Sequence, residues 1–242
     1  MNAYQLITEF RDAAGEDVPI AGEASHTGRF KYPAILRWLN RGQAEVQRLL
    51  ISLDDRYFLT SGSQDGQPGQ NGYPLPQDCF MGRVRLVEIV QGQQRYAYWP
   101  ITIEEKEAYR VSCAAGLDFH GRFEIRESTL HIYPAPPSGT DNVVTYYNRR
   151  LADLDFGPAP SNAGDTDLTL NVTARPQAHY YDNYRVSIVG QAAGKDQTRV
   201  ITGYSADRIC TVAQWSLNPT TEDYYAIECE LGEDFERLMV IK

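Results

Sequence analysis

The segment from residue 121 to residue 149 restricts the fold of this chain most, because short strand patterns alternate in it with turns. Residues 123–125 and 130–133 alternate apolar and polar side chains, as a strand with one buried face does. The sequence PAPPSG at 134–139 then stops the pairing, since proline has no amide hydrogen to donate. Residues 143–147, VVTYY, carry the β-branched and aromatic side chains that favour strands. The segment predicts three short strands and contains no chemically reactive motif.

A long amphipathic helix is predicted over residues 33–50. Pro33 suits the first helical position, where its missing amide hydrogen costs nothing. Small and apolar residues recur at intervals of three and four, as the buried stripe of a helix requires: Ile35, Leu39, Gly42, Val46, Leu49 and Leu53. Burial contributes about 1.5–3 kcal/mol for each large aliphatic residue. We therefore expect this helix to dock on another surface.

The patterns around this helix indicate an α+β fold class, with N-terminal helices packed with an antiparallel β-sheet. A first helix is expected over residues 2–13, ended by Gly15, and a short helix over 103–110. Strands are expected over 56–61, 83–90 and 95–99, the last two forming a hairpin through the turn QGQQ. The polar run 62–72 is interpreted as a loop between strands, because no Gly-Lys-Ser/Thr motif follows it.

Composition changes after residue 152. Residues 153–165, DLDFGPAPSNAGD, are rich in turn-forming residues and are interpreted as a linker. Five strand patterns follow and predict a small all-β sandwich or barrel module: 167–172, 184–189, 198–204, 208–213 and 224–229. The expected domains are 1–152 (α+β), 153–165 (linker), 166–232 (β module) and 233–242 (C-terminal tail).

Charge and hydropathy exclude several classes of protein. The 242 residues carry a formal net charge of −9, whereas a protein that grips nucleic acid needs clustered lysine and arginine. The nearest basic cluster in the sequence is Arg149–Arg150. No apolar run is long enough for a membrane span, and the start does not resemble a signal peptide. We expect a protein made in a cytoplasm that has no membrane partner.

Residues that carry catalysis or bind metals form no recognisable pattern. The four cysteines and four histidines are dispersed, without the close pairs that a structural zinc ion needs. Paired carboxylates such as those within 104–107 could form a glycosidase site, but the helix dipole explains acids at a helix start more simply. We expect no enzymatic activity, no catalytic or metal-binding residues and no cofactor.

The order of several segments resembles the head-to-tail adaptor proteins of tailed bacteriophages. The segments are LRWLNRGQAEVQRLL, then YPLPQDC before a strand, then LHIYPAPP leading to a YY strand, and they cover about the first 150 residues. Residues 194–227 are similar to a β module found in phage virion proteins, except that the turn at 204–207 reads YSAD where the module has Tyr-Asp-Gly.

The resemblance implies a structural protein of the virion neck, assembled in the cytoplasm of the bacterial host. Such adaptors form a twelve-subunit ring under the portal protein, pass DNA through the lumen and join tail, nozzle or tail-terminator proteins. Subunit packing would then use the long helix, with Ile35, Leu39, Val46 and Leu49 as the expected contacts. Adaptors often carry a helical C-terminal extension, but here only residues 232–242 remain. Their apolar residues are expected to dock on the portal: Phe235, Leu238, Met239 and Ile241.

A different class of function is also compatible with the sequence. Sixteen tyrosines and a β module would suit a receptor-binding or carbohydrate-binding tail or decoration protein, because aromatic faces stack on sugars. Tyrosine doublets such as 146–147, 180–181 and 224–225 alternate faces in a strand, however, so half of each pair is expected in the core.

Overall fold

The computed structural model describes residues 1–16, 30–114, 120–136, 142–159, 165–190 and 197–231. Its helices are α1 (Ala3–Ala13), α2 (Tyr32–Leu53) and α3 (Ile103–Ala114). Its first seven strands are β1 (Leu59–Asp65), β2 (Gly72–Pro74), β3 (Cys79–Gln91), β4 (Gln94–Pro100), β5 (Gly121–Arg126), β6 (Thr129–Tyr133) and β7 (Asn142–Arg149). Its last six are β8 (Phe156–Pro158), β9 (Asp167–Thr169), β10 (Arg185–Val189), β11 (Gln197–Tyr204), β12 (Ile209–Val212) and β13 (Tyr224–Ile227). The predicted α+β fold class is confirmed.

The first sheet has seven strands in the order β1-β7-β3-β4-β5-β6-β2. All neighbours are antiparallel except β4 and β5, which pair in parallel. Parallel neighbours need a crossover connection, and α3 lies in the chain between these two strands. The parallel pair was not expected from the sequence. The predicted β3–β4 hairpin is present, and Gly92 in its turn has a φ of 58°, a conformation that favours glycine.

Side chains of six of these strands form one apolar core. Its members alternate along their strands with more exposed residues: Tyr73, Val87, Ile89, Tyr98, Phe123, Leu130, Ile132 and Val143. Tyr98 lies close to Gly121 on the parallel strand, where even a Cβ atom would come within 2.6 Å of the ring. Glycine at this position therefore allows the tyrosine to enter the core.

The second sheet has six antiparallel strands in the order β8-β13-β10-β11-β12-β9. Five of them correspond to the five strand patterns predicted for the β module. Its core is larger and rich in aromatic residues, including Tyr181, Tyr204, Trp215 and Tyr225. Each of the three tyrosine doublets has one buried member, as expected: Tyr147, Tyr181 and Tyr225.

Contacts divide the chain into two compact units, Leu50–Arg150 and a unit made of Met1–Leu49 with Leu151–Lys242. The first 49 residues therefore belong with the six-stranded sheet, whereas the sequence placed them with the first sheet in a domain 1–152. Helix α1 contacts β13, and the backbone of Met1 accepts a hydrogen bond from the amide of Cys229. Asn2 caps α1 by accepting from the amide of Gln5, whose side chain accepts from the amide of Asn2.

Residues 153–159 differ from the predicted linker, because they are fixed within this unit. The amide and carbonyl groups of Leu154 bond to the side chain of Asn40, at 2.6 and 3.0 Å. Gln43 donates to the carbonyl of Ala152 at 2.8 Å. Phe156 is buried against the rings of Tyr4, Tyr32 and Tyr224. The glycine and proline at 157–158 lie in a short strand, β8, that pairs with β13.

Candidate assembly surfaces

Helix α3 is attached to its sheet by polar side chains. Lys106 donates hydrogen bonds to the Glu124 carboxylate at 2.5 Å and to the Tyr133 hydroxyl at 3.0 Å. The Tyr109 hydroxyl donates to the backbone carbonyls of His120 and Tyr133. Lys106 and Tyr109 therefore point towards the sheet, whereas the polar residues of an ordinary amphipathic helix face solvent.

Glu124 is the centre of this attachment. Its side chain is only 6% exposed, and its carboxylate also contacts Arg126 at 2.8 Å and accepts a bond from Tyr133 at 2.7 Å. Burial raises the pKa of Glu124, but the hydrogen bonds from Lys106 and Tyr133 and the charges of Lys106 and Arg126 outweigh burial. The pKa of Glu124 therefore lies below its usual value, and the carboxylate is ionised at neutral pH.

The opposite side of α3 presents apolar and acidic residues to solvent. Ile103 is 79% exposed and Val111 is 68% exposed. Glu107 lies between them at helical spacings of four, and Glu104 lies beside them in the first turn; both carboxylates are exposed. We call Ile103, Glu104, Glu107 and Val111 the α3 face. Exposed apolar side chains on the side of the helix away from Lys106 and Tyr109 form a surface suited to a partner.

Helix α2 carries a second exposed surface of opposite charge. Arg37, Arg41 and Arg48 are exposed and share one side of the helix, since their spacings of four and seven bring them to similar angles. Trp38 and Leu49 border this row and are 46% and 55% exposed. We call these five residues the α2 face. Arg41 forms an ion pair with Glu45 at 3.4 Å, while no ion pair is recorded for the other two arginines within the described residues.

Trp38 is held in place by two other aromatic rings. Its ring centroid lies 5.6 Å from that of Phe10 in α1 and 5.4 Å from that of Phe30. Phe10 and Phe30 also meet edge to face at 5.8 Å. The indole is therefore partly exposed but held in one position, so its side chain loses less conformational entropy when a partner binds.

The residues predicted for subunit packing divide into two groups. Ile35, Leu39 and Val46 are at most 6% exposed and lie in the interior of the chain. Leu49 is the member of this set that offers surface to a neighbour. Subunit packing through it stays a prediction. The predicted portal-docking residues lie outside the described residues: Phe235, Leu238, Met239 and Ile241.

Sequence reasoning missed both the α2 and the α3 face. The arginine row is not a run in the sequence, but projecting residues 33–50 onto a helix would have shown it. The α3 face was missed because the inward direction of Lys106 depends on Glu124, a residue that lies eighteen positions away in the sequence. No local pattern could have supplied that contact.

The described residues contain no group of three or more side chains able to hold a metal ion. Cys210 is fully buried, and burial raises its pKa. Burial, together with the charge of Asp78, also raises the pKa of Cys79, to about 11. Both thiols therefore stay protonated at neutral pH, which makes them poor nucleophiles.

None of the described helices is long and apolar enough to cross a membrane.

A comparison with protein families identifies the chain's relatives. The model of the SU10 adaptor protein family matches residues 1–206. The chain belongs to this family. The match extends beyond the 150 residues of the resemblance noted in the sequence and reaches strand β11 of the second sheet. No curated protein matches the chain.

Membership in the SU10 adaptor family makes the chain a bacteriophage adaptor protein, a structural component of the virion. It implies interaction with portal and tail proteins in general. The matched residues include α1, α2 and α3, so both exposed helix faces belong to the adaptor part of the chain.

Proposed function

We propose that this chain forms a ring beneath the portal protein and joins the DNA-filled capsid to the tail. The observation that carries the proposal is the match of residues 1–206 to a phage adaptor family. A portal is a symmetric ring, so an adaptor can occupy all of its equivalent sites only by repeating around the same axis. The proposed ring has twelve subunits, the number that the resemblance implies.

A closed ring needs two different surfaces on each subunit, because its contacts are head to tail. The α2 and α3 faces supply two exposed surfaces that differ in charge and share an apolar component. Neither surface is needed to complete a core, since Ile103, Val111 and Leu49 are mostly exposed. Their presence supports a function in assembly.

The ring would line the channel through which DNA leaves the capsid. A channel wall that binds phosphates slows DNA, because each lysine or arginine contact adds a salt-dependent attraction. The net charge of −9 gives the chain an excess of carboxylates, which repel the phosphates. We therefore expect DNA to pass through the lumen without stable binding.

The ends of the chain would make the contacts with other neck proteins. We propose that the four apolar residues of the C-terminal tail, Phe235, Leu238, Met239 and Ile241, anchor the ring to the portal. The six-stranded sheet would project towards the next tail, nozzle or tail-terminator protein. Assembly would take place in the host cytoplasm, where portal-containing heads are completed.

The alternative of a sugar-binding protein finds no support in the described part of the β module. Sugar binding needs exposed aromatic faces, and no aromatic side chain in residues 165–190 and 197–231 is among the large exposed hydrophobic residues. The large apolar residues exposed there are aliphatic: Val172, Val200, Ile209 and Leu217.

The proposal is tested by labelling virions with an antibody fragment against this chain and reconstructing them by electron microscopy. The label is expected at the neck, between portal and tail, with the symmetry of the portal ring. Label on the capsid shell or on tail fibres would contradict the proposal and favour a decoration or receptor-binding protein.

A further inference from the structure

The α3 face of the described structure pairs two chemical features that a protein partner must match. It carries two carboxylates, Glu104 and Glu107, beside the apolar side chains of Ile103 and Val111. The Glu104 carboxylate accepts hydrogen bonds at the helix start, above all from the backbone amide of Glu104 itself. These bonds lower the pKa of Glu104, so its carboxylate is ionised at neutral pH. A partner therefore needs cationic groups next to an apolar strip.

The α2 face has that composition. Its arginines, Arg37, Arg41 and Arg48, form a cationic row, and Trp38 and Leu49 form the apolar strip beside it. The lengths are also compatible. At 1.5 Å per residue the α3 face extends over about 12 Å from Ile103 to Val111, which fits within the roughly 18 Å from Arg37 to Leu49. Two helices with such strips can pack side by side, with charges along the border of the contact.

We propose that the α3 face of one copy of this chain docks on the α2 face of a second copy. The inference rests on the proposed function, a ring at the portal, and adds the surfaces by which its subunits meet. The contact is heterologous, so repeating it closes a ring when the rotation allows. DNA is a less suitable partner for the α2 face, because Trp38 and Leu49 cannot bind phosphates, whereas they can pack against an apolar protein surface.

Charge reversal in trans tests this contact. One variant carries Arg37→Glu and Arg48→Glu, and the other carries Glu104→Arg and Glu107→Arg. Each variant alone places like charges against each other at every contact between copies. An equal mixture restores opposite charges at every contact when the two variants alternate around the ring. Only a contact between different copies can be rescued in this way.

The measurement is the number of copies bound to purified portal protein of the same phage, by native mass spectrometry over a range of concentrations. Wild type is expected to fill the portal ring cooperatively. Each variant alone is expected to need at least about tenfold more protein for half filling, and the mixture is expected to return to within about threefold of wild type. Raising the salt concentration should weaken wild-type filling, because exposed charges are screened.

A control matched to the Glu104→Arg, Glu107→Arg variant carries Asp207→Arg and Glu222→Arg, which raise the net charge by the same amount on exposed loops of the second sheet. This control should fill the portal like wild type, and circular dichroism should show that all variants are folded. Failure of the mixture to restore filling overturns the proposed contact, as does normal filling by both single variants. If wild type fails to bind the portal at all, the proposed function itself is wrong.

A defect of the Arg37→Glu, Arg48→Glu variant in DNA retention, with normal ring filling, would assign the arginine row to DNA instead. Such a result overturns the docking proposal and leaves the ring intact.

Discussion

The Lys106 ammonium lies 2.5 Å from the carboxylate of Glu124, and this pair holds one side of helix α3 against the sheet. The arrangement directs Ile103 and Val111 outwards. A single buried carboxylate thus determines which side of the helix is available for assembly.

Removing the ammonium should loosen α3. Lys106→Ala is expected to lower the free energy of unfolding of the unit Leu50–Arg150 by about 1–2 kcal/mol, at the lower end of the roughly 1.5–3 kcal/mol for hydrogen bonds to charged groups. The effect is kept moderate because the Lys106 side chain is 23% exposed and Arg126 still contacts Glu124. Urea unfolding followed by circular dichroism measures it. A change as small as that of an exposed control, Arg110→Ala, would contradict this account of the attachment.

Glu124 also predicts a pH dependence. Its pKa is lowered in the folded chain, so its stabilising contribution is present above the unfolded pKa, about 4.3, and is lost as the pH falls through the folded pKa. Compared with Glu124→Gln, wild type should therefore lose stability on acidification from pH 6 to pH 3. Urea unfolding of both proteins across this range gives the difference. A constant difference would show that the carboxylate is not preferentially ionised in the fold.

Asp155 predicts a pH dependence of stability with the opposite sign. Tyr225 and Thr173 donate hydrogen bonds to its carboxylate at 2.6 and 2.7 Å, but burial outweighs these bonds and raises its pKa. A raised pKa favours the protonated form in the fold, so this contribution to stability is present below the unfolded pKa, about 3.9, and is lost as the pH rises through the folded pKa. Compared with Asp155→Asn, wild type should lose stability between pH 4 and pH 7. Parallel stability curves for the two proteins would contradict the raised pKa.

Phe156 tests whether residues 153–159 form part of a core. Its ring is buried, stacks on Tyr224 at 5.3 Å and contacts Tyr4 and Tyr32. Phe156→Ala should lower the free energy of unfolding by about 3–5 kcal/mol, as for other buried phenylalanines. Leu217→Ala, which changes a half-exposed side chain, serves as the control and should cost less than about 1 kcal/mol. Equal costs for the two variants would favour the linker that the sequence indicated.

The sequence predicted those elements whose pattern is local. The period of α2, the β3–β4 hairpin and the five strands of the second half follow from spacing and turn residues. Strand β8 was missed because glycine and proline follow Phe156, and the burial of Phe156 depends on Tyr4 and Tyr32, more than a hundred residues earlier. The grouping of α1 with the second sheet depends likewise on long-range contacts such as that between Met1 and Cys229.

The candidate assembly surfaces could likewise be predicted only where they depend on a local sequence pattern. The period of α2 correctly placed Ile35, Leu39 and Val46 on the buried side, but it was wrong for Leu49 and Leu53, which are 55% and 82% exposed. A buried stripe also cannot indicate whether a helix docks on its own chain or on a neighbour. The exposed arginines of α2 could have been found by the same projection. The α3 face could not have been predicted, because the residue pattern of the helix alone places Lys106 in solvent.

The C-terminal tail carries the prediction about portal attachment. Deletion of residues 233–242 should leave the melting temperature nearly unchanged, since these ten terminal residues cannot build a core of their own. It should weaken binding to purified portal at least about tenfold. Differential scanning calorimetry and native mass spectrometry measure the two effects. Unfolding of the truncated chain would assign the tail to the core of the second sheet, and normal binding would place portal docking elsewhere.

The most direct test of the adaptor account is an electron-microscopy reconstruction of the virion neck at a resolution that traces side chains. The account predicts a closed ring of this chain directly below the portal, around the DNA channel, with α3 of each copy against α2 of the next. A neck without this chain, or a single copy in each particle, would contradict the account.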